Sequence, residues 1–339
     1  MKSFSAFFRL IRLPNLIIIA LTQYAIRFGL MFPMLNGSGF TLALSESLFF
    51  LLVLATVMVA AAGYIINDYF DTKIDIINKP KKVIVGNLIK RRVAMGAHIV
   101  ISLIAIIISI YIALYLKSPW LALIQISSVL ALWYYSVNFK RRMLVGNFII
   151  ASLTALVPIS AGLYEFVELK NHLVEQLQHY TTLFPNENPI YAAVFFKDVL
   201  QNIGLWIAGY ALFAFLLTFI REIIKDIEDY EGDLEQGCKT LPIVAGISVA
   251  NNTAIIISSI TFVFLALVQY MQLISSEFIS FAYFSLFIQL PLILLMVKLF
   301  SAKKKNEYAW ASRLTKLIML FGILFTSVIY FQEFFMNAQ

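Results

Sequence analysis

The sequence predicts an all-α, polytopic membrane protein of nine transmembrane helices, and three observations carry that expectation. Of the 339 residues, 61% are hydrophobic and 13% charged, whereas soluble domains carry roughly 45–50% apolar and 25% charged residues. The apolar residues also gather into long uncharged runs, and about 20 such residues are what a helix needs to cross a bilayer. Finally, the basic residues sit in short segments between those runs and alternate in abundance from one to the next.

The elements follow in order along a single predicted domain, 1–339. Residues 1–13 predict an interfacial helix, because Phe4, Phe7, Phe8 and Ile11 are interleaved with Arg9 and Arg12. No short apolar core followed by a small-residue cleavage site precedes the first span, so no cleaved signal peptide is expected. The spans are predicted near 14–33, 47–66, 93–116, 119–136, 143–164, 199–220, 246–270, 278–298 and 314–335. With the N-terminus inside, the inner segments hold 22 of the 26 Lys and Arg, and the outer ones only Lys117, Lys170 and Lys197. Arg27 falls within the first span. That asymmetry predicts a cytoplasmic N-terminus and an extracytoplasmic C-terminus, and the absence of a transit-like leader favours a prokaryotic inner membrane. The outer segment 165–198 reads as a loop, either a partial cap or, as we expect, a tolerated insertion. The same charge distribution argues against nucleic acid as a partner despite the net charge of +7, since no basic face is formed. One cysteine, Cys238, excludes an intrachain disulfide.

Chemistry concentrates in two inner segments, 67–92 and 221–245, which begin where apolar spans end. Ten of the 19 acidic residues lie there. The first reads NDYFDTKID from Asn67 to Asp75, and the second REIIKDIEDYEGD from Arg221 to Asp233. Asp68, Asp71 and Asp75 are spaced three and then four apart, and Asp226, Asp229 and Asp233 repeat that spacing. Residues three and four apart share a helix face, so each segment should carry a carboxylate stripe as the helical continuation of its span. Like charges stacked this way are unfavourable unless cations neutralise them. Hard oxygen ligands suit Mg²⁺, which is commonly held by one or two carboxylates together with substrate phosphate oxygens. Two facing stripes could therefore hold a diphosphate between them. The third inner loop, YYSVNFKRR from Tyr134 to Arg142, adds Lys140, Arg141 and Arg142; we read the last two as membrane anchors.

These residues resemble the UbiA superfamily of intramembrane prenyltransferases. Asn67–Asp75 matches its NDxxDxxxD motif and Asp226, Asp229 and Asp233 its DxxDxxxD motif. Supporting matches are Arg12 with Asn15, Tyr135 and Ser136 with Lys140, and Gly146–Asn147. Within the superfamily, REIIKDIEDYEGD followed by KTLPIVAG (Lys239–Gly246) looks most similar to the branch that includes the digeranylgeranylglyceryl phosphate synthases. One departure stands out: where the family usually carries NRPxRP, residues Asn78–Val83 read NKPKKV. Lysine still neutralises phosphate but lacks the bidentate fork of arginine.

The resemblance implies a UbiA-type bundle and Mg²⁺ held by Asn67, Asp68, Asp71, Asp75, Asp226, Asp229 and Asp233 against a prenyl diphosphate donor. It implies that Lys82, Lys140, Arg221 and Lys225 neutralise the departing pyrophosphate. Asp75, Asp233 and Lys140 are the implied catalytic side chains, with Asp75 or Asp233 orienting the acceptor or a metal-bound water. The implied acceptor is geranylgeranylglyceryl phosphate or a similar lipid, with an aromatic or quinone precursor as the alternative, and the prenyl tail would run among apolar helices toward membrane lipid.

Other readings carry less. His98, His172 and His179 form no ligand set. Arg27 could bind a lipid phosphate, pair within the bundle or snorkel to the outer interface. An ion-coupled transporter is the competing class, but its site would be expected at the membrane midplane rather than at span ends. A non-catalytic scaffold would be expected to have lost motif aspartates, and all are present.

Overall fold

The structure, a computed structural model, describes residues 2–78, 80 and 83–333, with side chains from residue 5 onward. A short helix α1 (Lys2–Leu10) lies ahead of the first span, as its interleaved Phe and Arg predict. The chain then turns at Arg12, which adopts a left-handed backbone with φ of 52°. Such a conformation costs a non-glycine residue roughly 1–2 kcal/mol. Next comes α2 (Leu13–Gly37), opened by Pro14, whose missing N–H has no helical partner to lose there.

The remaining elements are α3 (Glu46–Asn78), α4 (Arg91–Tyr115), α5 (Pro119–Val137), α6 (Val145–Asn171), α7 (Leu173–Leu183) and α8 (Pro189–Glu228). Two short helices, α9 (Tyr230–Glu235) and α10 (Leu241–Ala245), lead to α11 (Ile247–Ile274), α12 (Phe278–Ser301) and α13 (Lys305–Phe331). Among the described residues, nine of these helices are long and apolar enough to cross a membrane: α2 to α6, α8 and α11 to α13. Two overrun the bilayer. The 33 residues of α3 and the 40 of α8 span about 50 and 60 Å, against a hydrocarbon core near 30 Å. Their final turns, which carry the acidic motifs, therefore project past the apolar slab.

Six spans close a ring: α2 packs on α3, α3 on α5, α5 on α6, α6 on α8, α8 on α13, and α13 back on α2. Outside it, α4 leans on α3 and α5, α11 on α8, and α12 fills the space between α11 and α13. Side chains such as Ile107, Leu205, Ile256, Val297 and Phe300 face outward, as lipid contact requires.

Three expectations need correction. The last span begins at Lys305 rather than near 314, because Glu307 accepts from the Lys303 and Lys304 amides (2.7 and 2.9 Å) and so fixes a charged first turn that hydropathy does not register. The predicted span 199–220 is the middle of α8. The supposed outer loop 165–198 is mostly helix: α6 runs to Asn171, α7 follows, and Asn188 caps the start of α8 by accepting from the Ile190 amide at 2.8 Å. Helix α7 packs back on the bundle, with Gln176 Oε1 accepting from the Thr41 amide (3.0 Å) and Tyr180 stacked on Phe40 at 5.2 Å.

Arg27 pairs within the bundle. Its Nη1 donates to Glu165 Oε2 at 2.6 Å, its Nη2 to the Leu44 carbonyl and to Glu46 at 3.1 Å, and its guanidinium lies 4.5 Å from the Phe49 ring centre. Glu165 Oε1 in turn accepts from the Ala43 and Leu44 amides at 2.6 and 3.0 Å. The helix widens to π geometry over Ala25–Met31 around this arginine, as helices often do where a polar side chain must be served.

Candidate active site

The ring encloses a cavity of about 1690 Å³ that reaches from the motif-bearing helix ends down into the bundle. Its wall on α3 is one helical face, running from Thr56 through Ala60, Tyr64 and Asn67 to Asp71 and Asp75 at steps of three and four residues. The same periodicity on α8 brings Thr218, Arg221, Glu222 and Lys225 to the cavity, and Asp229 follows just past the helix end. The upper wall is thus charged and the lower wall largely apolar. At the far end Gln23 Nε2 donates to Thr56 Oγ1 (3.2 Å) and Ser160 Oγ (2.9 Å), tying α2, α3 and α6 together. Beyond lie the packed Ile26, Leu30, Phe49 and Leu52.

In the first motif, Asp71 is the point of convergence. It is buried, accepts from Asn67 Nδ2 at 2.8 Å and is paired with Lys140. Both partners use the same oxygen, Oδ2, so the carboxylate keeps a second oxygen for a cation. Asn67 Oδ1 is buried with no hydrogen-bond partner among the described residues, a cost of about 1–3 kcal/mol unless something donates or coordinates there. Asp68, expected as a metal ligand, is held by Arg12 Nη2 at 2.9 Å, while Arg12 also lies over the Tyr64 ring. Burial opposes the charge on Arg12, but Asp68 outweighs it and the arginine is held above its ordinary value. Asp75 lines the cavity.

The second motif departs from the expected single stripe. Helix α8 stops at Glu228 and the chain restarts in α9, so Asp233 stands on a separate turn. Asp229 lines the cavity, and Asp226 and Asp233 are not among its lining residues. Asp226 Oδ2 instead accepts from Asn147 Nδ2 of α6 at 2.8 Å. Burial pushes the Asp233 carboxyl up to about 6, against the opposing pull of Lys140 and with Asp229 and Asp71 adding to it. For Lys140, burial works to lower the pKa, but Asp71, Tyr135 and Asp233 prevail and hold it well above the lysine range. Lys140 therefore stays a cation between the two motifs.

Three ties fix this geometry. Asn78 Nδ2 donates to the Asp229 carbonyl (3.0 Å) and Asn78 Oδ1 accepts from the Gly232 amide (3.1 Å), joining the end of α3 to the second motif. A Cβ on Gly232 would run into the Asn78 amide, so glycine is required by close approach. The Lys239 amide donates to the Arg141 carbonyl at 2.8 Å, binding the Lys140 loop to the segment after Asp233.

Of the expected phosphate ligands, Arg221 and Lys225 line the cavity and flank Glu222, at 2.8 and 3.2 Å. Lys82 lies outside the described residues. Glu222 received no role from sequence, although its offsets of one and three from the two cations were legible. Asn78, Arg313 and Lys316 were missed as well; the last two line the cavity from α13, and sequence counted them only among the inner basic residues. His98 packs on Trp133 and hydrogen-bonds the Ala62 carbonyl, a core role.

Among the described residues, no three His, Cys, Asp or Glu side chains already form a metal-ligand group. The oxygens of Asn67, Asp71, Asp75 and Asp229 around one cavity nonetheless fit Mg²⁺, which demands few protein ligands and completes its octahedron with water and phosphate. The orphaned Asn67 oxygen beside the Asp71 carboxylate is the specific observation in favour.

The model of the UbiA prenyltransferase family matches residues 28–323. A digeranylgeranylglyceryl phosphate synthase of Sulfurisphaera tokodaii is 35% identical over 199 residues, 58% of this chain and 58% of that one. Another, of Saccharolobus solfataricus, is 32% identical over 246 residues, 73% of this chain and 71% of that one. The matched stretch thus spans about three fifths of the first of these relatives. Among solved structures, a digeranylgeranylglyceryl phosphate synthase in membranes superposes with a TM-score of 0.57 at 22% identity over 97% of this chain and all of that one. An apo UbiA homologue from Aeropyrum pernix gives 0.55 at 14% identity over 89% of this chain and 96% of that one. At those identities the likeness establishes the fold.

Proposed function

Because the chain belongs to the UbiA prenyltransferase family, we propose that it transfers an isoprenyl group from a prenyl diphosphate to a membrane-borne acceptor hydroxyl, with geranylgeranylglyceryl phosphate or a similar lipid as acceptor. The observation that carries this reading is the meeting of two acidic segments over one cavity whose lower wall is apolar. The lipid acceptor draws support from relatives named digeranylgeranylglyceryl phosphate synthases.

Asn67, Asp71, Asp75 and Asp229 would hold Mg²⁺ against the diphosphate, with Asp226 and Asp233 behind them. Bound there, Mg²⁺ supplies Lewis-acid stabilisation of the leaving group. Lys140, between the motifs, and Arg221, Lys225 and Lys82 take up the charge that develops on the diphosphate oxygen as the allylic C–O bond breaks. The pyrophosphate leaves with the bonding electron pair. The acceptor hydroxyl oxygen then bonds the allylic carbon and gives up its proton, for which Asp75, which lines the cavity, is the candidate recipient, with Asp233 behind it. Apolar walls below the charged rim exclude the water that would otherwise capture the cation. Asp68 serves differently from the other motif carboxylates, neutralising and orienting Arg12. The charge asymmetry of the connecting segments supports a cytoplasmic cavity mouth, and we infer a cell inner membrane as its location.

The test is pyrophosphate release by the purified protein with geranylgeranyl diphosphate and a panel of lipid and aromatic acceptors, with and without Mg²⁺. Mg²⁺-dependent release with the glyceryl phosphate lipid is expected. Release with an aromatic acceptor alone would reassign the acceptor, and no release from folded protein would overturn the reading.

A further inference from the structure

Charge is divided around the cavity mouth. One sector, formed by the ends of α3 and α8 and the Lys140 loop, carries the motif carboxylates. The sector where α13 closes the ring between α8 and α2 carries basic residues: Arg221, Arg313 and Lys316, with Arg12 and Arg9 beside them. Within it the charge of Arg12 is spent on Asp68 and one face of Arg221 on Glu222. Lys316 is not spent. Its ammonium donates to Asn15 Oδ1 at 2.5 Å, and Asn15 is itself braced on the Tyr64 hydroxyl at 3.3 Å. No carboxylate lies within ion-pair distance of Lys316 among the described residues. Arg221 Nε is buried and has no hydrogen-bond partner among the described residues. Arg313, one turn from Lys316 on the same face of α13, is likewise without a carboxylate there.

Membrane anchoring explains Arg313, which is exposed, but not Lys316, which is half-buried, lines the cavity and is oriented by a neutral amide. A lysine that lines a cavity in a low-dielectric surround with no carboxylate to neutralise it is best satisfied by an anion that enters the cavity. The donor diphosphate has its own place against the carboxylate sector. A second anion is therefore called for, and a phosphate monoester, with about two charges and three acceptor oxygens, matches this donor set better than a carboxylate.

We propose that Lys316, oriented by Asn15 and joined by Arg313, binds the phosphate of the acceptor lipid. The inference rests on the prenyltransferase reading above and deepens it: α13 supplies the subsite that reads the acceptor's phosphate. Steady-state kinetics with geranylgeranyl diphosphate and Mg²⁺ test it, using three acceptors: geranylgeranylglyceryl phosphate, its dephosphorylated alcohol and 4-hydroxybenzoate. In Lys316→Met the KM for the phosphorylated acceptor should rise at least about tenfold. The donor KM and the slow rate with the alcohol should not move, and Lys316→Arg should recover most of the loss. Arg313→Gln should act in the same direction and guards against misfolding of the first variant. A rise confined to the donor KM, an equal loss with all acceptors, or no change would overturn the proposal. Direct binding of geranylgeranylglyceryl phosphate without donor decides the site even if turnover is absent. Tighter binding to wild type than to Lys316→Met supports it; equal binding, or matching by inorganic phosphate alone, overturns it.

Discussion

Asp71 shows how single side chains divide the work at this site. Its Oδ2 receives both Asn67 and Lys140, so the carboxylate is fixed in place before any cation arrives, and preorganisation of this kind spares reorganisation during reaction. Asp229 lines the same cavity. Replacing either by alanine should lower turnover by about 10²-fold or more, while the protein inserts and elutes as wild type, because neither side chain packs the core. Pyrophosphate release at limiting Mg²⁺ checks this; wild-type turnover in either purified variant would remove the residue from the site. The motif spacing made both aspartates legible. It could not separate Asp68 or Asp226 from them, because Arg12 and Asn147, which engage those two, come from distant parts of the chain.

At the scale of elements, the two motifs behave as one unit because Asn78 ties the end of α3 to the turn between α8 and α9. Loss of that tie leaves the ligands present but looser, which for residues that orient metal ligands typically costs 10–100-fold. Asn78→Ala should therefore raise the Mg²⁺ concentration needed for half-maximal rate about tenfold or more. Gly232→Ala should do the same, since its Cβ meets the Asn78 amide. In the Asn78→Ala background that collision is gone, so Gly232→Ala should add little. Additive losses in the four-variant cycle would show that the contact is not shared. Sequence placed Asn78 only at the head of a divergent motif; its partners lie 151 and 154 residues away, and no local pattern reports such a contact.

For the whole molecule, the far end of the bundle is held by Arg27 and Glu165, both fully buried. Breaking a buried pair leaves one charge uncompensated, at about 3–5 kcal/mol. Arg27→Met should lower unfolding stability by that order, and adding Glu165→Met should recover part of it; thermal or denaturant unfolding reads both. No recovery in the double variant would mean that the pair is not what stabilises this end. Topology is testable at the same scale. With Cys238 replaced by serine, a cysteine at Lys170 should label from the extracytoplasmic side and one at Lys303 only after permeabilisation. The reverse pattern would invert the orientation that the 22 inner Lys and Arg imply.

Composition, apolar run length and motif spacing determined by themselves that this is a nine-span helical membrane protein with two acidic motifs at span ends. Each of those is a local property: a bilayer demands about 20 apolar residues at a time, and a helix repeats its faces every three to four. The tertiary structure alone decided which carboxylates face the cavity and that α8 breaks before Asp233. It alone decided that Arg27 is paired and that 165–198 is helix packed on the bundle. It also turned two basic residues of the last span into cavity wall. Those outcomes depend on which helices become neighbours when the ring closes, and on where each buried charge finds its partner, and neither is written in the spacing of any one segment.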